Sequence, residues 1–477
     1  MIHVFISLTM LLVCLVSYLT KQADLCYITL EWSLLNIIVY CVRNLKERLV
    51  LLFFTFSFFV LLCSRMIISH YFDVSTFVYQ TTDVMLPGLM EEVYMQLVVA
   101  VNSVYLSYAW VMSRRRGVVE SEFRFDSYRL TNVRNWAKYL LYLCFLFCLV
   151  VIARKINAVS SGNYDALYEE DGLHMPFLIT LFANKFDMCA CLFFATMPSR
   201  KECITPMFLY GIVAILNLFT GVRGNFVLPA MFIVIYLYLR NTVHNGGEKW
   251  LTGRLLALGF MFVPVLFILM YFIMRIRSGN DMESGTYTNL ALGSIYQLGS
   301  SVQVIHDTIL YQSSLQQQNF YSLGPIIDFI VHNPFTDWIF NVPRYDYMSE
   351  GMALHGRSFG ASITYYAQNS RFLNNGAMGT SFVAESWIDF GYWGIMFYGC
   401  LYGLILGNVV RFCKQNFWLA FIALYAMMQI IYAPRGITTA FLSRFIEVKS
   451  WPFLLLIYFV YRYSSKKIYK PKFSRTT

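Results

Sequence analysis

Long apolar segments recur along the whole chain, and they constrain its fold more than any other feature. A helix that crosses a bilayer needs about 20 mostly apolar residues, because each residue advances the helix by only about 1.5 Å. About twelve segments of the chain meet this requirement. The pattern predicts an all-α polytopic membrane protein with spans near 2–19, 25–42, 48–69, 91–112, 135–153, 175–197, 203–220, 225–240, 255–274, 385–409, 416–434 and 450–463.

The composition favours lipid over water as the solvent of this chain. Hydrophobic residues make up 58% of it and charged residues only 13%, whereas soluble domains carry about 25% charged residues. The net charge of +10 would suit nucleic acid, but the basic residues lie in short runs between apolar segments. That distribution is typical of membrane proteins. We therefore expect the lipid bilayer to surround the chain and expect no nucleic-acid partner.

Lysine and arginine predict the orientation of the spans. Most of the 37 basic residues fall in alternate connecting segments and in the C-terminal tail, which the positive-inside rule assigns to the cytoplasm. Both termini are therefore predicted to be cytoplasmic. The longest segment on the other side, 278–384, is inserted between the ninth and tenth spans of a single membrane domain, 1–477. Its apolar run Pro325 to Val331 predicts a short helix at the membrane interface.

Two carboxylates open the tenth predicted span. Glu385 and Asp389 are four residues apart, so they lie on one face of a helix near its outer end. Carboxylates at the mouth of a helix bundle suit proton transfer, but they would also offset the helix dipole in the first turn. Further along, Gly399, Gly403 and Gly407 recur every four residues and predict close packing against another helix.

Arginines on the predicted outer side form a second group of candidates. They depart from the positive-inside pattern, so some interaction must offset their cost. Several guanidinium groups converging on one cavity would hold a diphosphate, although snorkelling to the interface explains some of them equally well. Histidine is a natural base near neutral pH, but lone loop histidines are usually structural. The candidates are Arg223 in a short Gly-Val-Arg-Gly turn, Arg277, Arg357, Arg435, Arg444 and His355.

Two charges, Lys185 and Asp187, interrupt the sixth predicted span. Charged side chains are costly in hydrocarbon and are retained only with a partner or in a water-filled cavity. Side chains two residues apart on a helix point in different directions, so these two do not pair with each other. The sequence therefore predicts that each has a separate partner or faces a water-filled cavity.

Motifs of several other activities are lacking. The sequence contains no GxxxxGK[ST] loop, so ATP-driven transport is not indicated. It contains no HExxH and no dense set of histidine and cysteine ligands. We therefore expect neither a metal nor another cofactor.

The stretch Ser381-Phe-Val-Ala-Glu-Ser-Trp-Ile-Asp-Phe-Gly-Tyr-Trp-Gly394 carries a family resemblance. Together with about twelve spans, the Gly-x-Arg-Gly turn and the long late outer loop, it resembles the Wzy-type polymerases of O-antigen and capsule repeat units. The resemblance implies a GT-C-like membrane glycosyltransferase at the outer face of the bacterial cytoplasmic membrane. It implies one undecaprenyl-diphosphate-linked oligosaccharide as donor, a second as acceptor, and a chain-length regulator in the membrane as a further partner.

The same resemblance suggests roles for the candidate residues and leaves two competing functions open. The arginines would hold the diphosphate, and Glu385, Asp389 or His355 would accept the proton of the attacking hydroxyl. An O-antigen ligase would share the fold and donor but use a lipid A-core acceptor. A lipid-linked oligosaccharide flippase would form no bond. The Ala-Glu-Ser-Trp-Ile-Asp-Phe-Gly stretch favours the polymerase.

Overall fold

A computed structural model describes most of the chain. The described residues are 2–72, 85–114, 128–161, 175–220, 224–243, 250, 252–253, 257, 261 and 287–464, the last range without 333–335, 337, 340–342 and 347. Regular structure within these residues is helical throughout. The predicted all-α class is therefore confirmed.

The described residues up to 243 form ten helices. Their bounds are α1 Ile2–Leu19, α2 Ala23–Val42, α3 Leu45–Phe58, α4 Ser64–Tyr71, α5 Met90–Arg114, α6 Tyr128–Ser161, α7 Phe177–Asn184, α8 Phe186–Ala195, α9 Arg200–Leu218 and α10 Gly224–Val243.

The remainder of the chain forms a series of short helices followed by the C-terminal spans. The bounds are α11 Tyr287–Leu298, α12 Val302–Leu310, α13 Gly324–Val331, α14 Glu350–His355, α15 Phe359–Ala367, α16 Asn369–Leu373, α17 Phe382–Gln415, α18 Phe417–Tyr432, α19 Ala440–Ile446 and α20 Trp451–Tyr463.

Ten helical segments of the described chain are long and apolar enough to cross a bilayer, and they coincide with ten of the predicted spans. The predicted span 255–274 lies almost entirely outside the described residues. The predicted span 450–463 is the helix α20, which has 13 residues. Since about 20 residues are needed to cross the hydrocarbon core, α20 by itself covers only part of that thickness.

The predicted interfacial helix corresponds to α13. The helix α13 begins at Gly324, and the apolar run starts at the next residue, Pro325. Proline is favourable in the first turn of a helix, because the N–H that it lacks would have no partner there. Phe329 packs its ring edge-on against Trp451 at the start of α20, with ring centroids 6.1 Å apart. Ile330 is exposed. This part of the long loop therefore packs against the C-terminal spans.

The glycine stripe of α17 packs against α5, as predicted. A Cβ atom at Gly399 would lie 2.8 Å from Cβ of Ser103, and one at Gly407 would lie 3.0 Å from Cβ of Val111. At Gly403 a Cβ would overlap the carbonyl oxygen of Val104. Only glycine lets the two backbones approach this closely, which is the usual basis of tight helix pairing in membranes.

Substituting Gly403 with alanine is expected to force α5 and α17 apart. Overpacking of this kind costs about 1–3 kcal/mol, so the unfolding midpoint in detergent should fall. The matched control is Gly211→Ala in α9, where a Cβ meets nothing within 4 Å. That substitution removes a helix-interior glycine and should leave the midpoint unchanged or raise it slightly. Equal midpoints for Gly403→Ala and the wild type would contradict the tight seam.

The helix α17 is kinked two turns after its start. Gly391 adopts φ 61° and ψ −149°, a conformation that side-chain-bearing residues rarely adopt. Three residues later, a Cβ at Gly394 would overlap the carbonyl oxygen of Ser386. The two glycines of the Phe-Gly-x-x-Gly part of this stretch are therefore required by the backbone conformation. The kink separates a short N-terminal segment of α17 from the long packed part of the helix.

Candidate active site

Glu385 lies in the first turn of α17, where Ser381 caps the helix through its hydroxyl. The side chain of Glu385 is 1% exposed. Its carboxylate accepts a hydrogen bond from the Thr380 hydroxyl at 2.6 Å, from the Thr438 backbone N–H at 2.8 Å and from the Thr438 hydroxyl at 2.7 Å. A buried carboxylate needs such donors. Glu385 therefore ties the start of α17 to the turn that follows α18.

Asp389 lies one helical turn further along and binds a different part of the chain. One of its carboxylate oxygens accepts the backbone N–H of Tyr321 at 3.0 Å, and the other accepts that of Ser322 at 2.7 Å. The Ser322 hydroxyl lies 3.3 Å from the Tyr398 hydroxyl. Asp389 thus fixes the long loop, just before α13, to the outer end of α17.

The two anchored segments also contact each other. The Thr439 hydroxyl donates to the Ser322 carbonyl at 2.9 Å, and the Tyr402 hydroxyl donates to the Thr438 carbonyl at 2.6 Å. We call this junction of α17, the long loop and the turn after α18 the outer junction, after the side of the membrane that the charge pattern of the sequence predicts for it. Both predicted carboxylates lie in it. Through their hydrogen bonds, these two residues of one helix hold together three parts of the chain that are far apart in sequence.

Arg435 belongs to the outer junction through its backbone. It ends the 3₁₀ turn that follows α18, three residues before Thr438, which Glu385 holds. Its side chain is half-buried. Within the described part of the chain it makes no hydrogen bond or ion pair. A positioned guanidinium without a protein partner is suited to an anionic ligand.

The three other described candidates differ in the contacts that their side chains make. Arg357 forms an ion pair with Asp328 of α13 at 3.0 Å. His355 is exposed at the end of α14, and its ring lies 6.1 Å from that of Tyr345. Arg444 is exposed on α19. The predicted sites Arg223 and Arg277 lie outside the described residues, so their assignment depends on the sequence alone.

The segment that carries His355 and Arg357 is connected to the junction by backbone contacts. The Asn319 side-chain amide donates to the Gly356 carbonyl at 3.0 Å. Asn319 immediately precedes the Phe320–Ser322 stretch that Asp389 holds. The Asn319 contact therefore links the segment of His355 and Arg357 to the part of the long loop that Asp389 holds at the start of α17.

The two charges of the sixth predicted span have separate partners, as predicted. Lys185 lies between α7 and α8, where the predicted single helix is broken, and its ammonium donates to Glu447 at 2.5 Å and to Ser450 at 3.0 Å. The Tyr210 hydroxyl donates to Asp187 at 2.9 Å. The ion pair between Lys185 and Glu447 holds the segment after α19 against the bundle.

Sequence analysis did not find the donors of the outer junction. Thr380, Thr438, Tyr321 and Ser322 bind the two carboxylates. Three of the five donors are backbone amides, which no residue type reveals. The hydroxyls belong to threonines in short loops without any marked pattern. The available signal was indirect, since a carboxylate buried in a span requires several donors.

The model of the family described as O-antigen polysaccharide polymerase Wzy matches residues 1–468. The match over nearly the whole chain places this multi-pass helical protein in a class of polymerising membrane enzymes. The chain belongs to the O-antigen polysaccharide polymerase Wzy family. No curated protein and no solved structure matches it.

Proposed function

We propose that the chain joins undecaprenyl-diphosphate-linked oligosaccharide repeat units at the outer face of the bacterial cytoplasmic membrane. The observation that carries the proposal is the outer junction, in which Glu385 holds the turn of Arg435 through Thr438 and Asp389 holds the long loop, while the Arg435 side chain has no hydrogen bond or ion pair among the described residues. The family membership supports the polymerising activity. A site for a lipid-linked substrate belongs at the membrane surface, because the carrier's apolar tail stays in the bilayer.

The proposed reaction transfers a glycan from one lipid carrier to another. A sugar hydroxyl of the acceptor unit forms a bond to the anomeric carbon of the donor, and the bond from that carbon to the diphosphate oxygen breaks. The hydroxyl proton passes to a base, and undecaprenyl diphosphate leaves with the electron pair. The reaction needs no nucleotide, because the diphosphate bond supplies the energy. Guanidinium groups stabilise the departing charge, and the candidates are Arg435, Arg223, Arg277, Arg357 and Arg444.

Two residues compete for the role of base. In the described arrangement the carboxylate of Glu385 is buried and already accepts three hydrogen bonds from Thr380 and Thr438, so a substrate hydroxyl would have to bind beside these donors or replace one of them. His355 is exposed and lies near Arg357 in the loop. We propose that Glu385 and Asp389 position the site and that His355 is the first base to test, with Glu385 as the alternative.

Removing the gene from its bacterium separates this function from the ligase and flippase alternatives. Loss of a polymerase should leave surface glycans that carry a single repeat unit. Loss of a ligase should leave long polymer on its lipid carrier. Loss of a flippase should leave single units on the cytoplasmic side. Gel analysis of surface polysaccharide and of the lipid-linked pool distinguishes these outcomes, and only the first agrees with the proposal.

The orientation of the chain is a separate prediction. Reporter fusions after residue 116 and at the C-terminus are expected to be cytoplasmic, because these segments are rich in lysine and arginine. A fusion near residue 320 is expected to be active only outside the cytoplasm. Paired reporters that function on opposite sides of the membrane provide the measurement. A cytoplasmic signal near residue 320 would put the outer junction on the wrong side for the proposed reaction.

A further inference from the structure

Two buried arginines lie at the opposite end of the bundle, beside the turn between α8 and α9. Arg134 of α6 is 8% exposed, and Arg240 of α10 is 3% exposed. Both bind carbonyl groups of this turn: Arg134 donates through Nη2 to Thr196 at 3.2 Å, and Arg240 donates through Nη2 to Pro198 at 2.9 Å. The charge pattern of the sequence predicts that this end faces the cytoplasm.

Arg134 is fully paired. Its Nε donates to the Thr196 hydroxyl at 3.3 Å, and its Nη1 forms an ion pair with Glu202 at 2.9 Å. Glu202 also accepts the N–H and the hydroxyl of Ser199, with which it forms a capping box at the start of α9. The carboxylate of Glu202 is therefore occupied and compensates one guanidinium.

Arg240 differs from Arg134 in having unused donors. Its Nε and Nη1 are buried and have no hydrogen-bond partner among the described residues. The Trp250 ring stacks on the guanidinium at 4.5 Å, and the Trp250 indole Nε1 is likewise buried without an acceptor in the described chain. Three N–H donors beside one positive charge thus have no acceptor among the described residues, since the Pro198 carbonyl binds only Nη2 of Arg240. Buried donors and buried charges are normally satisfied, so the arrangement calls for an anionic acceptor.

The surroundings favour a phosphate group carried by a lipid. The N-terminus of α9 begins two residues after Pro198, and helix N-termini attract phosphates. Arg200 and Lys201 are exposed in its first turn. Below them on the same helix, Ile204 and Phe208 are exposed large apolar side chains at positions that continue one stripe. Basic pockets between spans that adjoin an apolar face bind anionic phospholipid headgroups.

We propose that Arg240 and Trp250 form a binding site for a phosphate group, supplied by an anionic phospholipid whose acyl chains lie along α9. Nη1 and Nε of Arg240 and Nε1 of Trp250 donate to the phosphate oxygens, and the stacked indole holds the guanidinium in place. The site is separate from the outer junction and does not depend on the proposed reaction.

The test measures binding to the full-length protein in a neutral detergent. Short-chain phosphatidylglycerol, short-chain phosphatidylcholine and inorganic phosphate are titrated separately, and the unfolding midpoint and the bound lipid seen by native mass spectrometry are recorded. Phosphatidylglycerol is expected to raise the midpoint and to stay bound, whereas phosphatidylcholine is not. An equal response to inorganic phosphate would identify free phosphate as the ligand of the same site.

Variants assign the response to the proposed donors. Arg240→Met removes the charge and should weaken phosphatidylglycerol binding at least about tenfold, since charge-assisted hydrogen bonds are lost. Arg411→Met, at an exposed arginine of α17, should leave it unchanged. If Arg240→Met does not fold, Trp250→Phe removes one donor and keeps a ring, and should still weaken binding. No response in the wild type, as expected if water satisfies the donors, or unchanged binding in the folded variants, would overturn the proposal.

Discussion

Glu385→Ala is expected to abolish polymer formation, whereas Glu385→Gln is expected to retain most of it. The alanine leaves the buried N–H of Thr438 without an acceptor and opens a cavity, at a cost of about 1–3 kcal/mol for the unpaired group alone. The turn that carries Arg435 then loses its anchor. Glutamine can accept from Thr438 through its oxygen, and its amide group can donate to the Thr380 hydroxyl, which is free to rotate.

Polymer ladders and unfolding midpoints, measured on the same preparations, test this prediction. Glu350→Ala is the control, because Glu350 is an exposed carboxylate of the long loop and accepts a hydrogen bond from the Tyr365 hydroxyl at 3.1 Å. It should leave the ladder unchanged. A loss of roughly a hundred- to ten-thousand-fold in Glu385→Gln at an unchanged midpoint would make Glu385 the general base. His355→Ala would then be expected to stay active.

Arg435→Ala is expected to reduce polymerisation by about a hundred- to a thousand-fold, the usual effect of removing one group that stabilises a developing charge. The protein should stay folded in the membrane, because the Arg435 side chain makes no hydrogen bond or ion pair with the described residues. Arg435→Lys should restore little activity, since an ammonium cannot replace the two-pronged contact of a guanidinium with phosphate oxygens.

Arg411→Ala is the control for the loss of one positive charge, because it removes an exposed arginine from the other end of α17. This variant should form a normal ladder. The same pair of substitutions at Arg223 is expected to behave like that at Arg435 if both hold the diphosphate. A normal ladder from Arg435→Ala would remove this residue from the site and leave its turn with a structural role only.

Features that follow from helix geometry or from the properties of the bilayer could be predicted from the sequence. The spans follow from apolar length, and ten of the twelve agree with the structure. The stripe of Gly399, Gly403 and Gly407 follows from helical spacing and also agrees. The separate partners of Lys185 and Asp187 follow from the cost of charge in hydrocarbon. Each of these inferences depends on neighbours along one helix or on the bilayer.

Features that depend on contacts between distant segments could not be predicted. Nothing near Glu385 in the sequence indicates that Thr438, 53 residues later, supplies two of its donors. The donors of Asp389 are backbone amides whose positions depend on the fold of the long loop. The break at Lys185 depends likewise on Glu447, which binds the lysine from beyond α19. Spacing rules cover none of these cases.

The most direct test of the account supplies the purified wild-type protein with two defined undecaprenyl-diphosphate-linked repeat units in a lipid bilayer. The account predicts a ladder of products with no added nucleotide or metal, and release of one undecaprenyl diphosphate for each bond formed. Arg435→Ala in the same bilayer should give only the starting units. Absence of a ladder from the wild type, or transfer only when a lipid A-core acceptor is present, would contradict the proposed polymerase.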